Sequence, residues 1–89
     1  MLEQNYPNPF NPTTLISFRL PAEGEFSLTI YSTNGQLIKR LAGGWLAAGR
    51  HRFEWDATDE NGRRVASGVY LYLLQAGEFA VQRKLLLMK

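Results

Sequence analysis

The chain contains no cysteine and one histidine, His51. The first absence excludes a disulfide framework and any thiolate metal site. It does not fix the compartment, because a β-sandwich with a sufficient core can be secreted without disulfides. The second leaves no Ser-His or Cys-His pair with an orienting partner, so no catalytic residue is expected. No segment approaches the ~20 consecutive apolar residues of a membrane helix. The N-terminus lacks a basic region followed by an apolar run, so it is not read as a signal peptide. Met1 reads as a start added to a fragment from the C-terminus of a larger protein. Any export signal then lies outside this fragment or at its C-terminal end. Basic residues are few and mixed with acids, giving a net charge of +2. Lys39-Arg40 and Arg50-His51-Arg52 are too sparse for a nucleic-acid footprint, so no nucleic-acid partner is expected. Proline is confined to the first quarter of the chain, at Pro7, Pro9, Pro12 and Pro21.

What is present points to an efficient core. Hydrophobic residues make up 45% of the 89 positions, and Trp45, Trp55, five Phe and four Tyr are among them. A chain this short is one domain, and it buries only roughly 60–65% of its unfolded surface, so aromatic bulk matters. The dominant periodicity is two. Thr14, Ile16, Phe18 and Leu20 alternate with Leu15, Ser17 and Arg19, and Phe26, Leu28 and Ile30 with Glu25, Ser27 and Thr29. Asn34-Gly35 is a hairpin signal, since both residues tolerate positive φ. Gln36 to Leu41 reads as a third strand, cut short by Gly43-Gly44, with Trp45 to Gly49 as a connection holding an apolar anchor. His51, Phe53 and Trp55 define a fourth strand, with His51 at the edge of the core and Trp55 between the sheets. Val69 to Gln75 is apolar on both faces, as a central strand would be. Phe79 to Met88 is the last. Turn signals recur every 8–12 residues or so, the spacing of a sandwich or barrel.

The segment Tyr6 to Thr14, YPNPFNPTT, belongs to a lead-in over residues 1–12. Its prolines fix φ and push the preceding residues out of the helical region. Asn5, Asn8 and Asn11 suit Asx turns. A stiff, extended lead-in is expected, with a short additional strand near Leu2 to Tyr6, ahead of a sandwich over residues 13–89.

Four pieces in order carry a family likeness: LEQNYPNPFNPTT (Leu2 to Thr14), LTIYSTNGQLIKRL (Leu28 to Leu41), AAGRHRFEWDATDENGRRVASGVYLYLL (Ala47 to Leu74) and RKLLLMK (Arg83 to Lys89). The chain resembles the type A C-terminal sorting domain of the type IX secretion system. It is also similar to the related immunoglobulin-like domain of the flagellar hook-capping protein. The resemblance implies an all-β, immunoglobulin-like sandwich of about seven strands, without catalytic residues, cofactor or metal. It implies a secreted or surface protein that has passed through the periplasm and outer membrane. The implied partners are the outer-membrane secretion machinery and an upstream catalytic or adhesive domain, with surface polysaccharide as a further one. The matching positions Gly68, Val69, Tyr70, Gly77, Lys84 and Lys89, with the run Leu85, Leu86, Leu87, are its sorting and recognition candidates. Gly68 and Gly77 would serve turns, and the two lysines would be read by the translocon. A terminal strand is also a template for strand addition to a partner.

Two rivals stand beside the sorting reading, the first implied by the likeness to the hook-capping domain and the second read from the residues. The first is a structural assembly module. The second is a carbohydrate-binding accessory module of a secreted glycosidase, with Trp45, Tyr70 and Tyr72 as a stacking strip; the alternation in Val69 to Leu74 favours core and interface packing for these aromatics instead. Asp56, Asp59, Glu60 and Asn61 offer oxygen ligands, but their spacing does not match a calcium loop, and a solvated turn is the expected state.

Overall fold

A computed structural model describes residues 2–88. The six strands are β1 (Thr14–Leu20), β2 (Gly24–Ser32), β3 (Leu37–Leu46), β4 (Gly49–Trp55), β5 (Gly68–Ala76) and β6 (Phe79–Leu87), and no helix occurs among the described residues. β3, β2, β5 and β6 form one antiparallel sheet in that order, and β1 and β4 pair in a second. This is the expected immunoglobulin-like sandwich.

The alternating pattern positions the core. From β1, Ile16, Phe18 and Leu20 point inward; from β2, Phe26, Leu28 and Ile30; from β5, Tyr70, Tyr72 and Leu74; from β6, Leu85 and Leu87. Trp55, at the end of β4, has no exposed surface and packs against Phe10 and Tyr70, with ring centroids 5.7 and 5.6 Å away. Its indole N–H donates to the Thr58 carbonyl at 2.9 Å, which satisfies the one polar atom it buries. His51 lies at the core edge, its ring 5.9 Å from that of Phe18.

Three local features depart from the sequence reading. β3 does not stop at Gly43-Gly44 but continues to Leu46, since Ser27 and Phe26 of β2 pair with the two glycines. Gly44 has φ +126°, a conformation glycine adopts without steric cost. Trp45 is consequently on a strand and 64% exposed, its indole N–H donating to Glu23 at 3.3 Å, so it anchors nothing. At the hairpin only Gly35, not Asn34, has positive φ. The loop is longer than a two-residue turn, closed by Ser32 N–H to the Gln36 carbonyl and Gly35 N–H to the Ser32 carbonyl.

The lead-in is part of the sandwich. Leu2 and Tyr6 pair antiparallel with Phe18 and Leu15, extending the smaller sheet past β1. The chain then crosses to the other sheet, where Phe10 pairs in parallel with Leu87 of β6. Leu2, Asn5 and Phe10 are buried. The buried Asn5 amide donates to the Pro7 carbonyl at 3.0 Å and to Thr14 Oγ1 at 2.9 Å; the Thr14 hydroxyl donates to the same carbonyl at 2.8 Å. The Tyr72 hydroxyl accepts from Asn5 N–H at 2.9 Å and donates to the Glu3 carbonyl at 2.7 Å. No buried side-chain polar atom is left without a partner among the described residues.

This network predicts a pH effect. Burial pushes the Tyr72 phenol above its ordinary value of 10.0, although the Asn5 hydrogen bond and the charge of Arg83 oppose the rise. The folded state therefore holds this proton more tightly than the unfolded chain. Stability is unaffected below the unfolded pKa near 10 and falls as pH rises beyond it. Tyr72→Phe should cost about 1–3 kcal/mol at neutral pH, because Asn5 N–H and the Glu3 carbonyl lose their partner. It should also flatten the alkaline fall. Chemical denaturation at pH 7 and at several values above 10 tests both; an unchanged alkaline slope would assign that fall to another group.

Candidate functional site

The sorting candidates divide into an inner and an outer set. Tyr70, Leu85 and Leu87 face the core and are buried. The Tyr70 hydroxyl donates to the Ala66 carbonyl at 2.5 Å, and burial raises its pKa. Val69, Lys84 and Leu86 face the opposite side of the sheet. The register places Val69 directly across from Leu86, and Leu71 across from Lys84. Tyr31 and Leu37 continue this row over β2 and β3, since Leu71 pairs with Tyr31 and Tyr31 with Leu37. The result is a largely apolar surface with the Lys84 ammonium at its β6 side. Gly68 (φ +145°) starts β5 and Gly77 (φ +59°) turns the chain from β5 into β6, so both serve backbone geometry. Lys89 lies outside the described residues.

β6 is an edge strand, but the lead-in covers half of its free edge. Gln4 Nε2 donates to the Lys84 carbonyl at 2.8 Å, and Leu86 N–H donates to Asn8 Oδ1 at 2.9 Å. Phe10 N–H donates to the Leu86 carbonyl and Met88 N–H to the Phe10 carbonyl, each at 3.0 Å. Strand addition by a partner is therefore confined to the part of β6 around Ala80 and Gln82 unless the lead-in is displaced. Sequence periodicity identified β6 as a strand. It carried no sign that residues some 78 positions away occupy its edge.

The aromatic strip for sugar stacking does not exist, because Tyr70 and Tyr72 are core residues and only Trp45 is exposed. The acidic loop after β4 uses its oxygens internally. The Asp56 carboxylate accepts from the Thr58 hydroxyl at 2.5 Å, which lowers its pKa; partial burial opposes this and Lys39 reinforces it. Asp59 Oδ1 accepts from Asn61 N–H at 2.9 Å and Arg63 N–H at 3.0 Å. Glu60 reaches to Arg40 N–H at 3.2 Å, and its own N–H donates to the Ile38 carbonyl, closing the edge of β3. Among the described residues no group of three or more His, Cys, Asp or Glu side chains is arranged to hold a metal ion.

Fold and surface together define the class as an immunoglobulin-like β-sandwich module. The profile of the FlgD Ig-like domain family matches residues 6–78, and the chain belongs to that family. No curated protein sequence matches. Among solved structures, FlgD from P. aeruginosa is 26% identical with a TM-score of 0.70, over 83% of this chain and 61% of that one. FlgD from Xanthomonas campestris, described in connection with hook capping in flagellar assembly, is 25% identical with a TM-score of 0.62, over 89% and 58%. Dimeric latent PorU from Porphyromonas gingivalis is similar in fold, with a TM-score of 0.74 at 17% identity, over 98% of this chain but 9% of that one. The chain thus spans about three fifths of the FlgD structures and a small part of PorU.

Proposed function

We propose that this domain is a non-catalytic module that works by assembly within a larger protein, in the manner of the FlgD immunoglobulin-like domains. The observation that carries the reading is family membership over residues 6–78, supported by two FlgD structures of the same fold. The surface suits it. The row Leu37, Tyr31, Leu71 with Val69 and Leu86 offers apolar area for packing against a neighbouring domain, and polar chemistry is directed into the domain's own hydrogen bonds.

A second reading is that the domain is a sorting and surface-attachment signal recognised by the type IX secretion machinery. One specific observation favours it. The fold likeness to PorU covers 98% of the chain and so takes in β6, the strand that holds Lys84 and the run Leu85 to Leu87. In that reading the accessible signal is Val69, Lys84 and Leu86, since Leu85 and Leu87 are committed to the core.

One experiment separates the two. A fluorescent protein is fused ahead of Leu2 and expressed, with an export signal, in a host carrying the type IX system. Periplasmic retention is expected of an assembly module. Surface delivery would overturn that reading in favour of sorting. In the sorting case Lys84→Gln with Lys89→Gln should hold the reporter in the periplasm. The exposed Lys84 makes a folding effect beyond about 0.5 kcal/mol unexpected. Normal delivery of the double variant would remove the lysines from the signal.

A further inference from the structure

We propose that the outer face of the smaller sheet, on the opposite side of the molecule's core from the Val69–Leu86 surface, binds an acidic polysaccharide. Burial of Ile16, Phe18 and Leu20 turns Leu15, Ser17 and Arg19 outward on β1. On β4, Arg50, Arg52 and Glu54 are exposed in alternation with half-buried His51 and Phe53. The strand register sets Arg19 directly opposite Arg50, and Ser17 opposite Arg52. Like charges directly opposite one another in a sheet are destabilising. Glu3 answers one of them, with Arg50 Nη2 at 2.9 Å from its carboxylate. Among the described residues, Arg19 and Arg52 have no such partner. Arg19 and Arg52 are thus exposed and without an ion pair of the domain's own, free to meet an external anion.

The shape and chemistry select the anion's class. An open groove of about 490 Å³ is lined by Glu3, Tyr6, Leu15, Ser17, Arg50 and Arg52, together with His51. Tyr6 is 78% exposed and offers a flat apolar ring against which the C–H face of a sugar can pack. Ser17 adds a hydroxyl that both donates and accepts. Arginine forks grip carboxylate or sulfate in two-point contacts that a lysine cannot reproduce. Residues two apart on a strand lie about 7 Å from each other, and cross-strand neighbours about 5 Å, so the two unpaired guanidiniums, Arg52 in the groove and Arg19 beside it, can meet successive anionic groups of one polymer. A nucleic-acid duplex fits less well. Its charges come about every 1.7 Å and reward a long basic track. Here Glu3 sits within the groove on Arg50, and Glu54 follows Arg52 by two positions on β4, so there is no long basic track.

Affinity electrophoresis of the purified domain in gels containing dextran sulfate or neutral dextran tests this. These polymers share a sugar backbone and differ in the anion. Retardation by dextran sulfate alone is expected, and its loss in high salt. Arg19→Gln with Arg52→Gln should weaken retention at least about tenfold, the loss of two charge-assisted contacts, while leaving the melting temperature intact. Tyr6→Ala should weaken it about threefold or more, as for loss of a packed aromatic. Arg63→Gln with Arg64→Gln removes the same charge from the exposed loop before β5 and should change little. Equal weakening by the two arginine pairs would overturn the proposal, leaving only net charge. Absence of retardation at low salt would also overturn it. So would competition by duplex DNA as effective as that by dextran sulfate at equal anion concentration.

Discussion

Trp55→Ala is expected to destabilise the domain by about 3–5 kcal/mol, the range for truncating a large aromatic in a core. Trp55 has no exposed surface and joins three parts of the molecule. It ends β4, packs at a tilt against Phe10 of the lead-in and edge-to-face with Tyr70 of β5, and its indole N–H closes the first turn of the acidic loop through Thr58. Alanine would remove the contacts with both rings and leave the Thr58 carbonyl without that donor. A domain of this length has a total stability of about 4–13 kcal/mol, so the loss is a large part of the whole. Denaturant titration with intrinsic fluorescence from Trp45 measures it. A midpoint shift equivalent to less than about 1 kcal/mol would show that the cavity collapses or that the indole is not the hub the geometry makes it. Trp55→Phe keeps an aromatic and loses the N–H. Its smaller cost would separate the packing from the hydrogen bond.

The sandwich was legible because most strands are half-buried, and half-burial writes itself into sequence as alternation. Thr14 to Leu20 is read to the residue, and Val69 to Gln75 is recognised as central because Leu71 and Leu73 add apolar side chains on the outer face. Trp55 is placed between the sheets by the same alternation. β3 is legible only to Leu41, since Gly43-Gly44 is a stop signal by propensity, and the pairing with Phe26 and Ser27 that overrides it is a tertiary contact. The tyrosines are legible as core by the same alternation. What the sequence does not carry is the use of the Tyr70 and Tyr72 hydroxyls, whose partners, Ala66, Asn5 and Glu3, are set by tertiary contacts. The arginine cluster was half visible. Arg50 and Arg52 are neighbours in sequence, but Arg19 joins them only through the β1–β4 register, which links positions about thirty residues apart. The recognition candidates on β6 were found through resemblance. Their division into core-facing Leu85 and Leu87 and outward Lys84 and Leu86 follows from periodicity once the strand is placed.

Phe10→Ala carries the other large effect, and it tests whether the Pro/Asn-rich lead-in is a tether or a structural strap. Phe10 is 2% exposed, in a segment whose neighbours Pro7, Asn8, Pro9 and Asn11 all face solvent. Its ring packs on Trp55, and its backbone bonds Leu86 and Met88 in both directions. It is thus the point where the lead-in, after extending the β1–β4 sheet, fastens to the β6 edge of the other. Alanine should cost about 3–5 kcal/mol. The loss should fall unevenly, because the freed segment uncovers one edge only. Native-state hydrogen exchange should show the Leu86 and Met88 amides losing protection well before amides in the middle of β2. Phe10 and Trp55 are in contact, so their alanine variants should not add; a double-mutant cycle should return a coupling of about 0.5–1.5 kcal/mol. A cost below about 1 kcal/mol, with β6 protection unchanged, would make the lead-in a tether that merely touches the sandwich. If the strap holds, the Leu2–Phe10 segment is part of the folded domain and not a linker. A cut between Leu2 and Phe10 would release the buried Leu2 and the Asn5–Tyr72 hydrogen bonds, and leave the edge of β1 unpaired. Limited proteolysis of the intact domain accordingly should leave the Leu2–Phe10 segment uncut in the wild type and open it to cleavage in Phe10→Ala.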